Sequence, residues 1–409
     1  MINIIGLGYI GLPTALMFAT HGVKVVGTDC NERLIQQLNA GHISFKEEGI
    51  IDLLDSAFKE GIRFTTEYQK ADVYIIAVPT PYDKKSKKID PTYIIGALES
   101  IMSICPKGAI IVIESTVSPG TIDRFIRPVV GKSRYKLGVD IHIVHAPERI
   151  IPGNMVHELI FNSRTIGADE LFVAERIKLL YSSFCKGEIV ITDIRTAEMT
   201  KVVENTYRDV NIAFANELAK ICRSDNMDVY EIIRIANKHP RVSIMSPGPG
   251  VGGHCIPVDP WFLVGDYPSL VNVILAARNV NDSMPEFILE RMIDIMKIHG
   301  IEDVRRVGLY GLTYKENVDD TRESPTLQLL DQMEHNLASC IKVYDPFVKE
   351  NIIENQYHEF DTFIEDIDLV VVMVGHANIY SHAEKLKDKI VFDTRNSLSD
   401  GAAKKIYRL

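Results

Sequence analysis

The 409-residue sequence lacks the cysteine pattern of a disulfide-bonded or zinc-binding protein: its six cysteines are scattered, with no CxxC pair. It also has no apolar run near the roughly 20 residues that a membrane-spanning helix needs. A buried strand is predicted from the first residues, which leaves no space for a signal peptide. These absences predict free thiols, a cytoplasmic location, no metal site and no membrane partner.

The chain also lacks an excess of positive charge. Its formal net charge is −10, which argues against a nucleic-acid partner. An anionic substrate would need a local cluster of Lys, Arg and helix N-termini. Hydrophobic residues make up 46% and charged residues 24%, as in a globular protein whose length calls for two or three domains.

The first half of the chain alternates short apolar runs with helical patterns, which predicts an α/β fold with a doubly wound parallel sheet. The predicted strands are Ile2–Ile5, Lys24–Thr28, Val73–Val78, Ile110–Ile113 and Ile141–Val144, with edge strands at Arg164–Gly167 and Ile189–Thr192. The predicted helices include Pro91–Ile104 and Pro119–Val130.

The middle of the chain has helical periodicity only, and the last part alternates again. Helices are predicted over Thr196–Arg223, Asp228–Lys238 and Ser269–His299, with Pro285 either breaking the last one or starting a new helix. Further strands are predicted at Arg306–Tyr310, Ile341–Tyr344, Leu369–Val374 and Ile390–Phe392. We therefore expect two Rossmann-like domains, 1–193 and 301–409, joined by a long-helix central domain, 194–300.

The N-terminal motif Gly6-x-Gly8-x-x-Gly11 follows a strand and opens a helix, which is the setting of a dinucleotide site. Gly6 permits the tight turn, Gly8 lets a pyrophosphate approach, and Gly11 lets helix and strand pack closely. Asp29 ends the second strand, where an acid binds the ribose hydroxyls and repels a 2′-phosphate. The motif predicts NAD as the cofactor; the alternative is glycines that serve packing only.

Other residues join the predicted cofactor site with less certain roles. Arg33 would cover the adenine or a phosphate, or would be an exposed helix residue. Loops after two strands contain Thr80 and Thr116, and ligands bind outside the carboxyl ends of parallel strands. The alternative for each hydroxyl is a helix N-cap, which suits Ser118 before Pro119.

The stretch Pro247–Trp261 predicts nucleophilic chemistry. Cys255 follows a glycine-rich loop, and Asp259 comes four residues later. Cysteine is well suited to attack a carbonyl, and a nearby carboxylate can hold or deprotonate a water. His254 would be a base for the thiol or, as we favour, would hold the loop. The other five cysteines are predicted to be small buried hydrophobes.

Two more positions carry candidate catalytic groups. Lys201 and Asn205 are spaced i, i+4 on a helix and suit an oxyanion and a water. From the residues alone, a solvated polar stripe continuing to Arg208 is the favoured interpretation. Glu148 follows a strand and suits a general base, with a loop salt bridge to Arg149 as the alternative.

Taken together, these motifs resemble those of the UDP-glucose/GDP-mannose dehydrogenase superfamily. The matching segments are GLGYIGL, VPTP, ESTVSPGT, HAPER, EMTKVVENTYRDVNIAFANELA, PGPGVGGHCIPVDPWF and GLTYKENVDDTRESP, in order from residue 1 to about 325. The resemblance implies an NAD-binding domain, a helical dimerisation domain and a C-terminal domain that helps bind the nucleotide. It also implies oxidation of a nucleotide-sugar C6 alcohol to a carboxylate with two NAD molecules.

By this resemblance Cys255 would form a thiohemiacetal and then a thioester, with Lys201 and Asn205 supporting the oxyanion and water. Asp259 and Glu148 would help to activate the hydrolytic water. The implied cofactor-binding residues are Gly6, Gly8, Tyr9, Ile10, Gly11, Asp29, Arg33, Thr80, Thr116 and Arg322. The implied substrate-binding residues are Glu148, Arg149, Lys201, Asn205, Arg208, Arg241, Gly252, His254 and Lys315.

The expected partners are a small nucleotide sugar and further copies of the chain, as a homodimer or a dimer of dimers. The Gly-Gly-His-Cys loop and the Pro-Trp-Phe that follows resemble the branch acting on UDP-N-acetylhexosamines. UDP-N-acetylmannosamine is the expected substrate, while UDP-N-acetylglucosamine and UDP-glucose stay open. Two alternatives from other classes are a two-electron dehydrogenase of the 6-phosphogluconate type, which leaves Cys255 unexplained, and a non-catalytic NAD-binding scaffold.

Overall fold

The computed structural model describes residues 1–45, 47–336 and 340–409, which divide into two compact units. The first unit contains Met1–Glu204 and Trp261–Pro268, and the second contains Asn205–Pro260 and Ser269–Leu409. Each has a sheet made largely of parallel strands, so the predicted α/β fold class with two Rossmann-like units is confirmed.

The sheet of the first unit has eight strands within the described residues, in the order β3-β2-β1-β4-β5-β6-β7-β8. Their bounds are β1 (Ile2–Ile5), β2 (Val25–Thr28), β3 (Arg63–Thr65), β4 (Val73–Ile76), β5 (Ala109–Ile113), β6 (Ile141–His145), β7 (Arg164–Ala168) and β8 (Ile189–Thr192). The central strands are buried on both faces, which explains why most of their residues are apolar.

Two strands of this sheet differ from the expected arrangement: β3 was not predicted, and β7 has another place and direction. We predicted β7 as an edge strand, but it lies between β6 and β8 and runs antiparallel to β6. The segment between β6 and β7, which contains the short helix Met155–Phe161, reverses the direction of the chain. The apolar pattern of a strand does not indicate its direction in the sheet. Neighbouring strands elsewhere in the sheet are parallel.

Helices cover the sheet of the first unit, and one predicted helix begins later than expected. The helices are α1 (Gly11–Thr20), α2 (Glu32–Asn39), α3 (Ile50–Lys59), α4 (Thr92–Ile104), α5 (Arg127–Gly131), α6 (Met155–Phe161) and α7 (Leu171–Tyr181). The helix predicted from Pro119 instead starts with a π-helical turn, Ile122–Ile126, which leads into α5.

The middle of the chain is helical, as its periodicity predicts. The helices are α8 (Ile194–Ser224), α9 (Val229–Ala236), α10 (Asp259–Asp266), α11 (Asn272–Asp282) and α12 (Met284–His299). Pro285 lies in the first turn of α12, so the second of the two alternatives for that proline is correct. Among the described residues, no helix is both long and apolar enough to cross a bilayer.

The sheet of the second unit has six parallel strands within the described residues, in the order β11-β10-β9-β12-β13-β14. Its elements are β9 (Val307–Tyr310), α13 (Pro325–Asn336), β10 (Lys342–Tyr344), β11 (Gln356–Tyr357), α14 (Phe360–Glu365), β12 (Leu369–Val372), α15 (Ala377–Ser381), β13 (Ile390–Asp393) and β14 (Lys405–Arg408). Our prediction missed both outer strands, because each is short or half-buried and carries polar residues.

Candidate active site

The glycine-rich turn after β1 leaves room for a ligand at one position and no room for a side chain at two others. Gly6 has φ +89°, and a Cβ there would lie 2.6 Å from the Ala77 carbonyl oxygen. A Cβ on Gly11 would lie 1.8 Å from the Gly6 carbonyl oxygen. A Cβ on Gly8 would meet no atom of the described residues within 4 Å, and this glycine is exposed. The turn therefore presents open backbone at the start of α1, where a pyrophosphate would bind.

Asp29 is held by backbone donors at the carboxyl end of β2. Its Oδ2 accepts a hydrogen bond from the Leu7 N–H at 2.8 Å, and its Oδ1 accepts one from the Asn31 N–H at 2.9 Å. The carboxylate thus ties β2 to the glycine-rich turn, in the place where a ribose-binding acid is expected.

The other predicted residues of this turn are less constrained. Tyr9 stacks on Phe45, with ring centroids 4.4 Å apart, and Ile10 is half-buried just before α1. Arg33 is exposed on α2, which leaves both of its alternatives open.

The loops after β4 and β5 are bonded to each other. The Thr80 hydroxyl donates to the Thr116 carbonyl oxygen at 2.7 Å, and the Ser115 hydroxyl donates to the Val78 carbonyl oxygen at 2.6 Å. Thr80 and Thr116 therefore lie together at the carboxyl edge of the sheet, next to the glycine-rich turn of β1.

Ser118 is not the helix N-cap that we predicted. Its hydroxyl donates to the Asp266 carboxylate, which also pairs with Arg124 at 2.8 Å. The Glu198 carboxylate of α8 takes over the capping role, because it accepts the N–H groups of Gly120 at 2.5 Å and Ile122 at 2.9 Å. A cap supplied by a distant helix leaves no local sequence signal.

Glu148 is a buried carboxyl group beyond the end of β6, and it accepts the N–H of Ile150. Burial raises its pKa, and the positive charge of Lys201 opposes that shift. The alternative of a salt bridge to Arg149 is wrong, since Arg149 Nε donates to the Glu204 carboxylate at 2.8 Å. Arg149 instead ties α8 to this strand end.

Lys201 and Asn205 are both buried, at 6% and 5% exposure. The solvated polar stripe that we favoured from the residues alone is therefore wrong at these two positions, although Arg208 one turn later is half-buried. Periodicity places the two residues on one face of α8, but only packing decides whether that face is solvated.

In the second unit, the cysteine loop packs against the segment 311–325. The Gly253 N–H donates to the Arg322 carbonyl oxygen at 2.9 Å. A Cβ on Gly252 would lie 2.6 Å from the Glu323 carbonyl oxygen, and one on Gly253 would lie 2.8 Å from the Tyr314 ring. These glycines let the backbone come this close, which brings the loop of Cys255 beside the segment that carries Lys315 and Arg322.

Cys255 itself is exposed. Asp259, one turn later, is buried and pairs with the buried Asn205 of α8. The Asp259 N–H donates to the Cys255 carbonyl oxygen at 2.9 Å. The Asn205 side-chain amide donates to Asp259 Oδ2 at 2.6 Å, and both side chains are buried. The second unit thus brings together an accessible thiol and a carboxylate from one stretch of sequence and an amide from another, 54 residues away.

The charged residues around this loop differ in their surroundings. Arg322 is exposed and pairs with Asp320 at 2.6 Å, while Lys315 is half-buried. His254 keeps an exposed edge, but partial desolvation and then the charge of Arg322 lower its pKa. Arg241 is exposed after α9. A lowered pKa keeps His254 neutral, which fits either of its two roles.

The remaining cysteines divide between interior and surface. Cys105, Cys185 and Cys222 are buried as predicted, but Cys30 and Cys340 are exposed, so that prediction is wrong for those two. Both lie in loops beside strands, where flanking residues do not report burial.

Comparisons with known proteins identify the family over nearly all of the chain. Three models of the UDP-glucose/GDP-mannose dehydrogenase family match: the NAD binding domain at residues 1–185, the central domain at 195–283 and the UDP binding domain at 308–400. A UDP-N-acetyl-D-mannosamine dehydrogenase of Methanococcus vannielii is 42% identical, covering 99% of this chain and 94% of the relative.

Solved structures agree with the sequence comparison. The UDP-N-acetyl-mannosamine dehydrogenase of Staphylococcus aureus is 40% identical with a TM-score of 0.89, covering 100% of this chain and 97% of that one. The UDP-D-ManNAc dehydrogenase of Pyrococcus horikoshii is 34% identical with a TM-score of 0.91, covering 100% and 99%. With its glycine-rich turn, buried polar pair and cysteine loop, this chain belongs to the UDP-glucose/GDP-mannose dehydrogenase family and is an NAD-dependent nucleotide-sugar dehydrogenase.

Proposed function

We propose that the protein oxidises the C6 alcohol of UDP-N-acetyl-D-mannosamine to the uronate, in two steps that share one covalent enzyme intermediate. The observation that carries this proposal is the exposed Cys255 one turn before the buried Asp259–Asn205 pair. A two-electron hydroxy-acid dehydrogenase has no use for such a thiol. The names of the relatives support the mannosamine epimer as substrate.

The cofactor site is proposed to be Gly6, Gly8, Tyr9, Ile10, Gly11, Asp29, Arg33, Thr80, Thr116 and Arg322. Bound NAD supplies the hydride acceptor for each oxidation. The open backbone at Gly8 and the fixed carboxylate of Asp29 fit its pyrophosphate and ribose. The anionic substrate is proposed to contact Arg149, Arg208, Arg241, Gly252, His254 and Lys315 in addition to the catalytic residues.

The first oxidation converts the C6 alcohol to an aldehyde, and Glu148 is the proposed acceptor of the hydroxyl proton. Cys255 Sγ then adds to the aldehyde carbon, which forms the C–S bond of a thiohemiacetal and keeps the aldehyde from escaping. Lys201 and Asn205 stabilise the oxygen that becomes negative.

The second oxidation converts the thiohemiacetal to a thioester. A water held by Asp259 and Glu148 gives a proton to one of these carboxylates and attacks the thioester carbon. The C–S bond then breaks, the Cys255 thiolate is regenerated on the enzyme, and the carboxylate product is released. Thiolate is a better leaving group than an alkoxide, which is the physical reason for a cysteine at this position.

We also propose three functional domains, 1–193, 194–300 and 301–409, and a cytoplasmic homodimer or dimer of dimers. Exposed apolar residues at seven-residue spacing on α8, namely Tyr207, Phe214 and Ile221, support association through this helix.

The test is the amount of NADH formed per sugar, with UDP-N-acetylmannosamine limiting and NAD in excess. We expect two NADH per sugar and an acidic product. One NADH per sugar would contradict the thioester mechanism. No NADH would exclude the mannosamine epimer, and the same assay with UDP-N-acetylglucosamine and UDP-glucose would then identify the substrate.

The Cys255→Ala variant gives the matching residue test. We expect it to lose oxidation to the uronate, because no thioester can form, while NAD binding and the oligomeric state stay unchanged. Cys340→Ala is the control, since it removes another exposed thiol from the same unit. Full activity of the Cys255 variant would overturn the mechanism.

A further inference from the structure

The first unit contains a buried ionic cluster that the roles above do not use. Glu114 directly follows β5, Arg164 is the first residue of β7, and Tyr181 is the last residue of α7. Glu114 Oε1 accepts hydrogen bonds from Arg164 Nη1 at 3.3 Å and from the Tyr181 hydroxyl at 3.0 Å. The guanidinium of Arg164 lies 4.5 Å from the centre of the Tyr181 ring. The three side chains thus form one connected group.

This charged cluster is almost completely buried. The side chains of Glu114 and Arg164 are 0% and 6% exposed, and Tyr181 is fully buried. Glu114 Oε2 accepts no hydrogen bond from any described residue. Stability does not explain such an arrangement, because apolar side chains of similar volume often stabilise a protein as well as a buried ion pair does.

The cluster adjoins Glu148, the proposed base. The antiparallel register pairs His145 with Gly167, and continuing it places residue 148 opposite residue 164. Contacts one residue further along agree with this, because Arg149 Nη1 donates to the carbonyl oxygen of Ser163, the residue opposite it in this register, at 2.5 Å. Burial raises the pKa of both carboxyls; the charge of Arg164 opposes that rise at Glu148 and at Glu114, and the charge of Glu148 adds to it at Glu114. The three charges therefore act on one another.

We propose that Glu114, supported by Tyr181, is a positioning residue that offsets the charge of Arg164 and so keeps Glu148 able to exchange a proton during catalysis. The proposal rests on the proposed function, in which Glu148 is the base. Glu114 does not need to touch the substrate for this role, since it acts through Arg164.

Other titratable groups also face these carboxyls. Lys201 of α8, Arg164 of β7 and Glu158 of α6 face Glu148, whereas Arg164 and Tyr181 face Glu114. Burial lowers the pKa of the neighbouring His145 to about 4, so that imidazole is neutral at the pH of an activity assay. Burial raises the pKa of Glu114 to about 7, because it disfavours the charged carboxylate. The charge of Glu114 therefore changes within the pH range of an activity assay.

The test is the pH profile of kcat for the Glu114→Gln variant. Glutamine keeps the shape and an acceptor for Tyr181 but removes the negative charge. Arg164 then acts on Glu148 without compensation, which favours the carboxylate and lowers the pKa of Glu148. Because a base must be deprotonated to work, we expect the acidic limb to move to lower pH by about 1 unit or more.

Two further variants make the direction of the shift decisive. Arg164→Gln removes the positive charge, so the acidic limb should move to higher pH. That variant leaves Glu114 buried without its cation and can unfold the unit. Tyr181→Phe is therefore the second variant: loss of its hydrogen bond favours protonated Glu114, and the limb should move to lower pH by less than in Glu114→Gln.

Controls separate this proposal from the proposed function. Asp169→Asn breaks an exposed ion pair with Arg127 in the same unit and should leave the profile unchanged. If Glu148→Gln keeps the wild-type acidic limb, Glu148 is not the base and the proposed function needs revision. If Glu148→Gln loses the limb but folded Glu114→Gln and Tyr181→Phe show no shift, the positioning role is overturned and the proposed function is not.

Discussion

At the scale of single residues, glycines determine how closely the backbone packs in the two candidate sites. Gly6 and Gly11 in one loop and Gly252 and Gly253 in the other have no space for a Cβ, because backbone or ring atoms lie within 3 Å. At these positions glycine is required by packing, whereas at Gly8 it keeps the surface open. The same residue type therefore has two physical roles within one motif.

Asp29 is expected to determine the choice between NAD and NADP. If NAD binds as proposed, the charge of Asp29 lies where a 2′-phosphate would be, and like charges in contact cost several kcal/mol. The wild-type protein should have a higher kcat/KM with NAD than with NADP, and Asp29→Asn should reduce this preference about tenfold or more. Steady-state kinetics with both cofactors measure this.

Asp52→Asn is the control for that experiment, since Asp52 is an exposed aspartate on α3 of the same unit. Equal kcat/KM for the two cofactors in the wild-type protein would show that Asp29 does not select NAD.

At the scale of secondary-structure elements and loops, the segment after β9 is held in place by side chains that lie far from it in the sequence. The Asp345 carboxylate accepts the N–H groups of Leu312 at 2.6 Å and Thr313 at 3.0 Å. His376 Nδ1 accepts the N–H of Asn317 at 2.9 Å, and its Nε2 lies 3.1 Å from Asp345. Because Nδ1 is an acceptor, Nε2 is the ring nitrogen that can donate to Asp345. This buried pair shapes the turn that carries Lys315.

The His376→Ala variant should therefore weaken substrate binding indirectly, because His376 holds the turn that carries Lys315 and does not itself contact the substrate. The Asn317 N–H and the Asp345 carboxylate would each lose a partner, at about 1–3 kcal/mol of unfolding free energy. We expect KM for the nucleotide sugar to rise about tenfold or more, because small misplacements in a site are costly. The Kd for NAD should stay the same.

His358→Ala, which replaces an exposed histidine of the same unit, is the matched control. An unchanged KM in folded His376→Ala would mean that the turn does not position a substrate contact. Thermal unfolding of both variants shows whether the protein is still folded.

At the scale of the whole molecule, α8 has an apolar face that the described residues leave exposed. Tyr207, Phe214 and Ile221 are 63%, 50% and 52% exposed, and their seven-residue spacing places them along one stripe of the helix. If this stripe joins two copies, Phe214→Glu should convert the oligomer to a monomer, because it buries a charge at the contact. Analytical ultracentrifugation measures the change.

Leu179→Glu is the control for association, since it makes the same kind of change at an exposed apolar residue of α7. A Phe214→Glu variant that keeps the wild-type mass in solution would place the contact elsewhere.

Much of the fold followed from local pattern. The buried strands around the first glycine-rich turn are short apolar runs, and parallel strands covered on both faces must have this composition. The glycine-rich turn and the place of Asp29 at the end of β2 were also predictable, because each depends on residues close together in the chain, whereas the sequence left two alternatives open for Pro285. The prediction of nucleophilic chemistry also came from residues close together in the chain, Cys255 and Asp259, and it stays a prediction.

Only the tertiary structure decided what depends on distant contacts. Periodicity put Lys201 and Asn205 on one helix face, but their burial follows from what packs there, and the amide of Asn205 finds Asp259 across 54 residues. The direction of β7, and with it the position of Arg164 beside Glu148, could not be read from an apolar run. Glu114 stood in the sequence as a charged residue straight after an apolar strand, a signal that we passed over. Its role depends on the buried partners Arg164 and Tyr181, which are 50 and 67 residues away and which only folding brings to it.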